Sequence, residues 1–254
     1  MAQFMLSKRL PVALAISVLV TSASWATTAD DRELDRERAR LDPTAEELSI
    51  RERLNVLVER VKLEQNHVTT MSAKFRQEKT SAMLLEPATD LGLFYYRAPD
   101  QVRWEYEQPE SMLVVINGEE LVTYYVEQGV AERAAIGDIS EQVFKYLGAS
   151  GSLDKLAEFF EVTAYFPENA GDPYHLVLEP RYSRIERRLL GMEIWIDPEN
   201  FQPTQFKYLQ PGGDETLYRF DDLALNEDLA DTLFEVELPE GVSVKTVDLG
   251  KREN

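Results

Sequence analysis

Apolar and polar residues alternate along much of the chain, and the pattern is clearest in the segment 92–109. Val102, Trp104 and Tyr106 fall on one side of an extended strand, because successive side chains point to opposite faces. Charged residues occupy the other side. Pro99 fixes its own backbone angle and favours a turn before this strand. The segment therefore predicts two strands joined by a tight turn, with one wide aromatic face.

A helical period precedes the strands and short turns separate them. Thr44 and Glu47 have the spacing of a capping box, and apolar residues then recur every three or four positions as far as Val61. Later strands follow one another through turn residues, and the end of the chain, 233–244, predicts two short strands around a turn. This order favours a mainly β fold with covering helices (α+β), built on a single large curved antiparallel sheet.

Two apolar helical segments interrupt the strands in the middle of the chain. They begin near Asp138 and Ser152, and the residues between them, 148–151, form a Gly/Ser-rich break. The arrangement fits a movable helical lid, and it fits a helical hairpin fixed over the sheet equally well. The candidate lid side chains are Phe144, Leu147, Phe159 and Phe160.

The N-terminus has the organisation of an export signal. Two basic residues precede an apolar run over 10–20, and small residues follow it. The run is shorter than the roughly 20 apolar residues that span a bilayer, so we predict a removable signal peptide over 1–26. Dense mixed charge predicts a solvated leader over 27–43. Residues 44–249 are then expected to form one folded domain.

Composition narrows the location and the classes of partner. The chain has no cysteine, which excludes a disulfide framework and a lipid anchor built on cysteine. Export without such an anchor predicts the periplasm. The net charge of −19 disfavours nucleic acid and anionic membrane headgroups as partners. We expect the protein to act as a monomer.

The residues offer little for catalysis. There are two histidines and no thiol, and the serines of 148–152 miss the spacing of a nucleophile elbow. No cluster has the spacing of a metal site or of a phosphate-binding loop, so no cofactor is expected. A pair of carboxylates of the glycosidase type stays open, because acidic residues are numerous. We predict that the protein is not an enzyme.

Apolar area is what the chain offers instead. A curved sheet of this size has more inner face than one helix covers, and a buried acyl chain gains roughly 0.8 kcal/mol per methylene. The alternative is that these side chains form ordinary core. The candidate ligand-contacting residues, chosen by alternation, are Phe75, Leu93, Val102, Trp104, Tyr106, Leu113, Val115, Met192 and Ile194.

Several short motifs together resemble the family of the periplasmic lipoprotein carrier LolA. Each is weak alone, whereas their order and spacing over most of the predicted domain are more specific. The motifs are Phe75-Arg76-Gln77, Gly92-Leu93, Arg103-Trp104-Glu105-Tyr106, Asn117-Gly118 and Pro239-Glu240-Gly241-Val242.

The resemblance implies an unclosed β-barrel around a hydrophobic cavity that takes the acyl chains of lipoproteins. It also implies two partners, an inner-membrane ABC release complex and an outer-membrane receptor lipoprotein. In this family an arginine next to a proline helps to hold the lid closed. Arg97 is the candidate here, although it stands one residue further from Pro99, which turns it to the other side of a strand.

Two alternatives stay open beside a lipoprotein shuttle. The displaced arginine and the long acidic leader favour a LolA-like carrier of another lipid or glycolipid. The same fold also serves as a periplasmic sensor, a regulatory module that binds a membrane signalling protein.

Overall fold

The computed structural model describes residues 29–81, 85–136, 153–169 and 171–247. The chain divides into two units, residues 1–37 and 38–254. The described part of the first unit lies in helix α1 (Ala29–Arg40), in the predicted charged leader. Its residues are mostly good helix formers such as Glu, Arg and Ala.

The second unit opens with the long helix α2 (Ile50–Asn66). Its cap is not the predicted Thr44. The Ser49 hydroxyl accepts a hydrogen bond from the Glu52 amide at 3.4 Å, and the Glu52 carboxylate accepts one from the Ser49 amide at 2.9 Å. The Asp42 carboxylate accepts hydrogen bonds from both the amide and the hydroxyl of Thr44, so a local turn occupies the predicted cap.

The described strands form one sheet of twelve, in the order β12-β6-β5-β4-β3-β2-β1-β11-β10-β9-β8-β7. The described part of the unit also contains two short α-helices, α3 (Leu153–Phe159) and α4 (Ser183–Glu186). The strands are β1 (Thr70–Thr80), β2 (Ala88–Arg97), β3 (Gln101–Gln108), β4 (Met112–Asn117), β5 (Glu120–Tyr125), β6 (Val130–Ala135), β7 (Phe160–Tyr165), β8 (Tyr174–Pro180), β9 (Gly191–Ile196), β10 (Pro203–Leu209), β11 (Glu215–Leu225) and β12 (Ser243–Val247).

The sheet is large, mixed and unclosed. β7 and β12 stand at the two ends of the strand order, so the predicted unclosed sheet is confirmed. The predicted antiparallel sheet has one exception, at the edge where β12 runs parallel to β6. The other described neighbours pair antiparallel. Short turns join most of them, whereas β1 and β11 are far apart in sequence.

The end of the chain crosses the sheet before it joins the edge. A 3-10 helix, Asp231–Phe234, replaces the first of the two strands predicted over 233–244, and it packs on β3 and β4. Phe234 is 1% exposed there. Burial of this ring holds the segment on the sheet and overrides its local strand pattern.

Two large apolar clusters lie on one side of the sheet, which we call the inner face and define as the face that carries Trp104. One apolar cluster lies between α2 and strands β7–β10, and a second surrounds Trp104 on β1–β4. Tyr218 and Phe220 of β11 pack against both clusters. The inner face is therefore one continuous apolar layer. Within the described segments, no helix combines the length and apolar character that a membrane span requires.

Candidate functional site: an apolar cavity beneath α2

A cavity of about 260 Å³ lies between α2, α3 and the inner face of β7 and β8. Apolar side chains form most of its wall, and two exposed polar side chains of α2 stand at its rim. Its lining residues are Leu54, Asn55, Val58, Glu59, Ala157, Val162, Leu176 and Leu178.

The helix and strand periods bring this wall together. Leu54 and Val58 lie four residues apart, on the stripe of α2 that also packs on the core. Leu176 and Leu178 alternate on β8, and Val162 of β7 lies opposite Leu178. An apolar stripe thus faces an apolar strand surface, and the cavity is the space that the two leave unfilled.

Two predicted residues lie next to this cavity on the inner face. Met192 pairs with Leu178, and Ile194 pairs with Leu176. Both are buried in the cluster beneath α2. The cavity residues of β8 were not chosen from the sequence, although their alternation over 174–178 was a usable signal.

Four other predicted residues form an aromatic cluster further along the inner face. The ring centroids of Phe75 and Trp104 lie 4.8 Å apart, and those of Phe75 and Tyr106 lie 4.9 Å apart. Val102 is buried in the same cluster. Phe94 was not among the predicted residues, and its ring centroid lies 4.8 Å from that of Trp104. Contact of these side chains with a ligand stays a prediction.

The prediction that the candidate ligand-contacting residues all lie on the inner face is wrong for Leu93, Leu113 and Val115. Leu93 and Leu113 both pair with Glu105, and Val115 pairs with Arg103, so all three lie on the opposite, outer face. β4 is apolar without alternation because both of its faces are covered, and Val115 is only 2% exposed. Because every position of such a run is apolar, hydrophobicity does not indicate which side chains point to the inner face.

The predicted lid residues take separate places. Phe144 and Leu147 lie outside the described residues. Phe160 is buried in β7 within the core cluster, whereas Phe159 at the end of α3 is 38% exposed. Phe160 is therefore part of the core cluster beneath α2, and its assignment to a lid helix is wrong.

Among the described residues, the Arg97 guanidinium contacts Gln101 and the segment 229–234, and not α3. Its guanidinium donates to the Asp231 carboxylate at 2.8 Å and to the Leu229 carbonyl, and lies 4.8 Å from the centre of the Phe234 ring. Arg103 donates to the Leu233 carbonyl at 3.0 Å. Arg97 thus fastens the segment 229–234 to the outer face, as its displacement from Pro99 indicated.

A short hydrogen-bonded chain runs beside the aromatic cluster. The Gln77 amide donates to the Tyr218 hydroxyl at 2.7 Å, and Tyr218 is also hydrogen-bonded to Tyr106. Burial raises the pKa of Tyr106, of Tyr208 and of Tyr218 above the ordinary value of a phenol. These groups are neutral at physiological pH. In the part of the chain that the structure describes, no group of acidic or histidine side chains is placed to hold a metal ion.

Known proteins show the family to which this sequence is similar. The model of the family described as outer membrane lipoprotein carrier protein LolA matches residues 66–237. The outer-membrane lipoprotein carrier protein of Alkalilimnicola ehrlichii is 28% identical over 70% of this chain and 78% of its own. The carrier protein of the same name from Pseudomonas paraeruginosa is 24% identical over 70% of this chain and 82% of its own.

Solved structures resemble the fold at lower identity. An uncharacterised conserved protein from Thermus thermophilus superposes with a TM-score of 0.51 at 15% identity, over 76% of this chain and 99% of that one. This match supports the arrangement of strands and helices, and it bears on the fold alone.

Proposed function

The chain belongs to the LolA family of outer membrane lipoprotein carrier proteins, and from this membership we propose that it carries lipoprotein acyl chains through the periplasm. The family match over residues 66–237 is the observation that carries the proposal. The cavity beneath α2 supports it, because an apolar wall with a polar rim suits a chain whose head stays in water.

The path of the acyl chain follows from the cavity. Leu54 and Val58 of α2 face Leu176 and Leu178 of β8, so a chain entering past Asn55 would have apolar contacts on both sides. At about 260 Å³ the cavity falls below the usual range for ligand sites, roughly 300–1,000 Å³. A lipoprotein with several chains therefore requires α2 and α3 to separate. We call the arrangement described here the closed one, because its cavity is small.

Exchange of cargo completes the proposal. The inner-membrane ABC release complex and the outer-membrane receptor lipoprotein are proposed as donor and acceptor, and the periplasm as the location. No catalytic step is part of this function. The carrier needs only an affinity for acyl chains that changes between the closed and open arrangements of α2 and α3.

Glutamate substitutions on α2 test the proposal with a matched control. Val58→Glu places a carboxylate in the cavity wall, whereas Ile50→Glu makes the same chemical change at a side chain that is 71% exposed. We expect Val58→Glu to abolish loading with a fluorescent lipoprotein, because a buried unpaired carboxylate is strongly disfavoured beside an acyl chain. Ile50→Glu should load normally. Equal loading by two folded variants would refute the cavity assignment.

A further inference from the structure

A basic segment lies on this acidic protein. Residues 179–190 contain four arginines and two glutamates, whereas the whole chain has a net charge of −19. The arginines are all exposed, and they form no ion pair with other residues that the structure describes. They are Arg181, Arg184, Arg187 and Arg188.

The core holds this segment with its arginines outward. Ile185 and Leu189 pack against the apolar cluster beneath α2. Arg187 and Arg188 lie between these two anchors in sequence and are exposed, and the Arg184 guanidinium lies 5.5 Å from the centre of the Tyr182 ring. The positive charges are therefore displayed on a fixed surface.

Large apolar side chains are exposed beside the arginines. Phe159 is 38% exposed, Tyr182 is 47% exposed and Leu190 is 40% exposed, and the rings of Phe159 and Tyr182 lie 6.5 Å apart. We call these three side chains and the four arginines the basic patch. Arginine combined with aromatic and leucine side chains is the composition that proteins place at a membrane–water interface.

The basic patch adjoins the cavity. The Arg181 amide donates to the Phe159 carbonyl at 2.8 Å, and the Arg181 guanidinium donates to the Phe160 carbonyl at 2.8 Å. Phe159 ends helix α3, whose Ala157 lines the cavity, and β8 leads from the cavity residue Leu178 directly to Arg181. A surface bound to the patch would therefore lie beside the cavity.

We propose that the basic patch docks the protein on the anionic phospholipid headgroups of a membrane surface. Acidic residues elsewhere do not prevent this, since their field falls off within a Debye length of about 10 Å at 0.1 M salt. The exposed rings and Leu190 enter the headgroup region while the arginines contact phosphates. This docking goes beyond carriage of acyl chains, and it needs no cargo.

Vesicle binding by the unloaded protein tests the proposal. Wild type is mixed in buffer of about 0.1 M salt with vesicles of phosphatidylcholine, with or without phosphatidylglycerol, and sedimented. The patch variant is Arg184→Gln/Arg187→Gln/Arg188→Gln. The control, Arg32→Gln/Arg36→Gln/Arg51→Gln, removes the same charge from exposed arginines outside the patch.

We expect wild type and control to bind the anionic vesicles alike, and the patch variant to bind on the order of 100-fold more weakly. Added salt should release the wild type. Absence of wild-type binding at about 0.1 M salt, or an equal loss in both variants, overturns the proposal. Binding to soluble polyglutamate without binding to vesicles would also overturn it and would assign the patch to an acidic protein.

Failure of docking and failure of the carrier function are separable. The arginines of the patch variant do not line the cavity, so this variant should still load acyl chains from solution. Wild type that binds anionic vesicles but takes no acyl chain would refute the carrier function and leave the docking proposal standing.

Discussion

Replacing Gly92 by alanine should destabilise the sheet strongly, because there is no room for a methyl group. A Cβ at this position would lie 2.0 Å from the Glu105 carbonyl oxygen and 2.7 Å from the Phe75 ring. Gly92 pairs with Phe75 on one side and Tyr106 on the other. Because Gly92 has no side chain, the ring centroids of Phe75 and Tyr106 can lie 4.9 Å apart across β2.

The size of the effect follows from the contact with Glu105. Moving the new methyl group beyond 3.0 Å, below which Cβ contacts are essentially never seen, requires a local displacement of about 1 Å. Overpacking costs about 1–3 kcal/mol, and each ladder hydrogen bond that the shift weakens costs roughly 1 kcal/mol more. We expect a loss of about 3–5 kcal/mol in the free energy of unfolding.

Urea unfolding followed by tryptophan fluorescence measures this loss, and Gly191→Ala is the matched control. Gly191 also lies in a strand, but its Cβ would meet only the Leu178 carbonyl oxygen at 3.6 Å, an ordinary contact. This variant should be neutral, or more stable by up to about 1 kcal/mol. Equal midpoints and slopes for the two variants would refute the packing described around Phe75.

Three further predictions concern separate parts of the fold. The Glu64 carboxylate loses hydration on burial, but hydrogen bonds from Arg38 and Arg60 outweigh this loss and lower its pKa. Glu64→Gln should therefore lower the free energy of unfolding by about 2–3 kcal/mol at pH 7, and urea unfolding at a series of pH values should show this difference shrink as pH falls through the lowered pKa. Arg97→Ala should speed amide hydrogen exchange at 229–234 while exchange in the strands stays unchanged; equal exchange at 229–234 would contradict its role. Asn55→Cys with Ala157→Cys, joined by a cleavable thiol reagent, should block acyl loading until the link is cleaved, and unimpaired loading would show that α2 and α3 need not separate.

The sequence was sufficient for the faces of strands that are covered on one side only. Val102, Trp104 and Tyr106 alternate with charged residues, and all three lie on the predicted face. The large sheet of short-turn strands followed from the same pattern, since turn residues favour antiparallel pairing, whereas its unclosed form was implied by the family resemblance.

Strands with two covered faces could not be assigned in this way. Val115 and Ile116 are adjacent in β4 and both are 2% exposed, so hydrophobicity does not tell their faces apart. In β2 the apolar run 93–96 has the same ambiguity, which led to the choice of Leu93 where Phe94 faces the core. The neighbouring strand β3 resolves both cases once the register is known.

Local sequence patterns also could not predict contacts between distant parts of the chain. Arg97 meets Asp231 across more than a hundred residues, and no spacing rule connects them. Burial of Phe234 likewise turned a predicted strand into a 3-10 helix. The cavity depends on such a meeting too, since α2 reaches β8 only in the folded sheet.

Photocrosslinking tests the proposed acyl site most directly. The protein is loaded with a lipoprotein whose acyl chain carries a photoreactive group, irradiated, digested and mapped by mass spectrometry. We expect adducts on the cavity wall, in the peptides that contain Val58 and Leu178, and fewer in Val58→Glu. Adducts at Leu113 on the outer face, or none above an irradiated unloaded control, would contradict the proposed site.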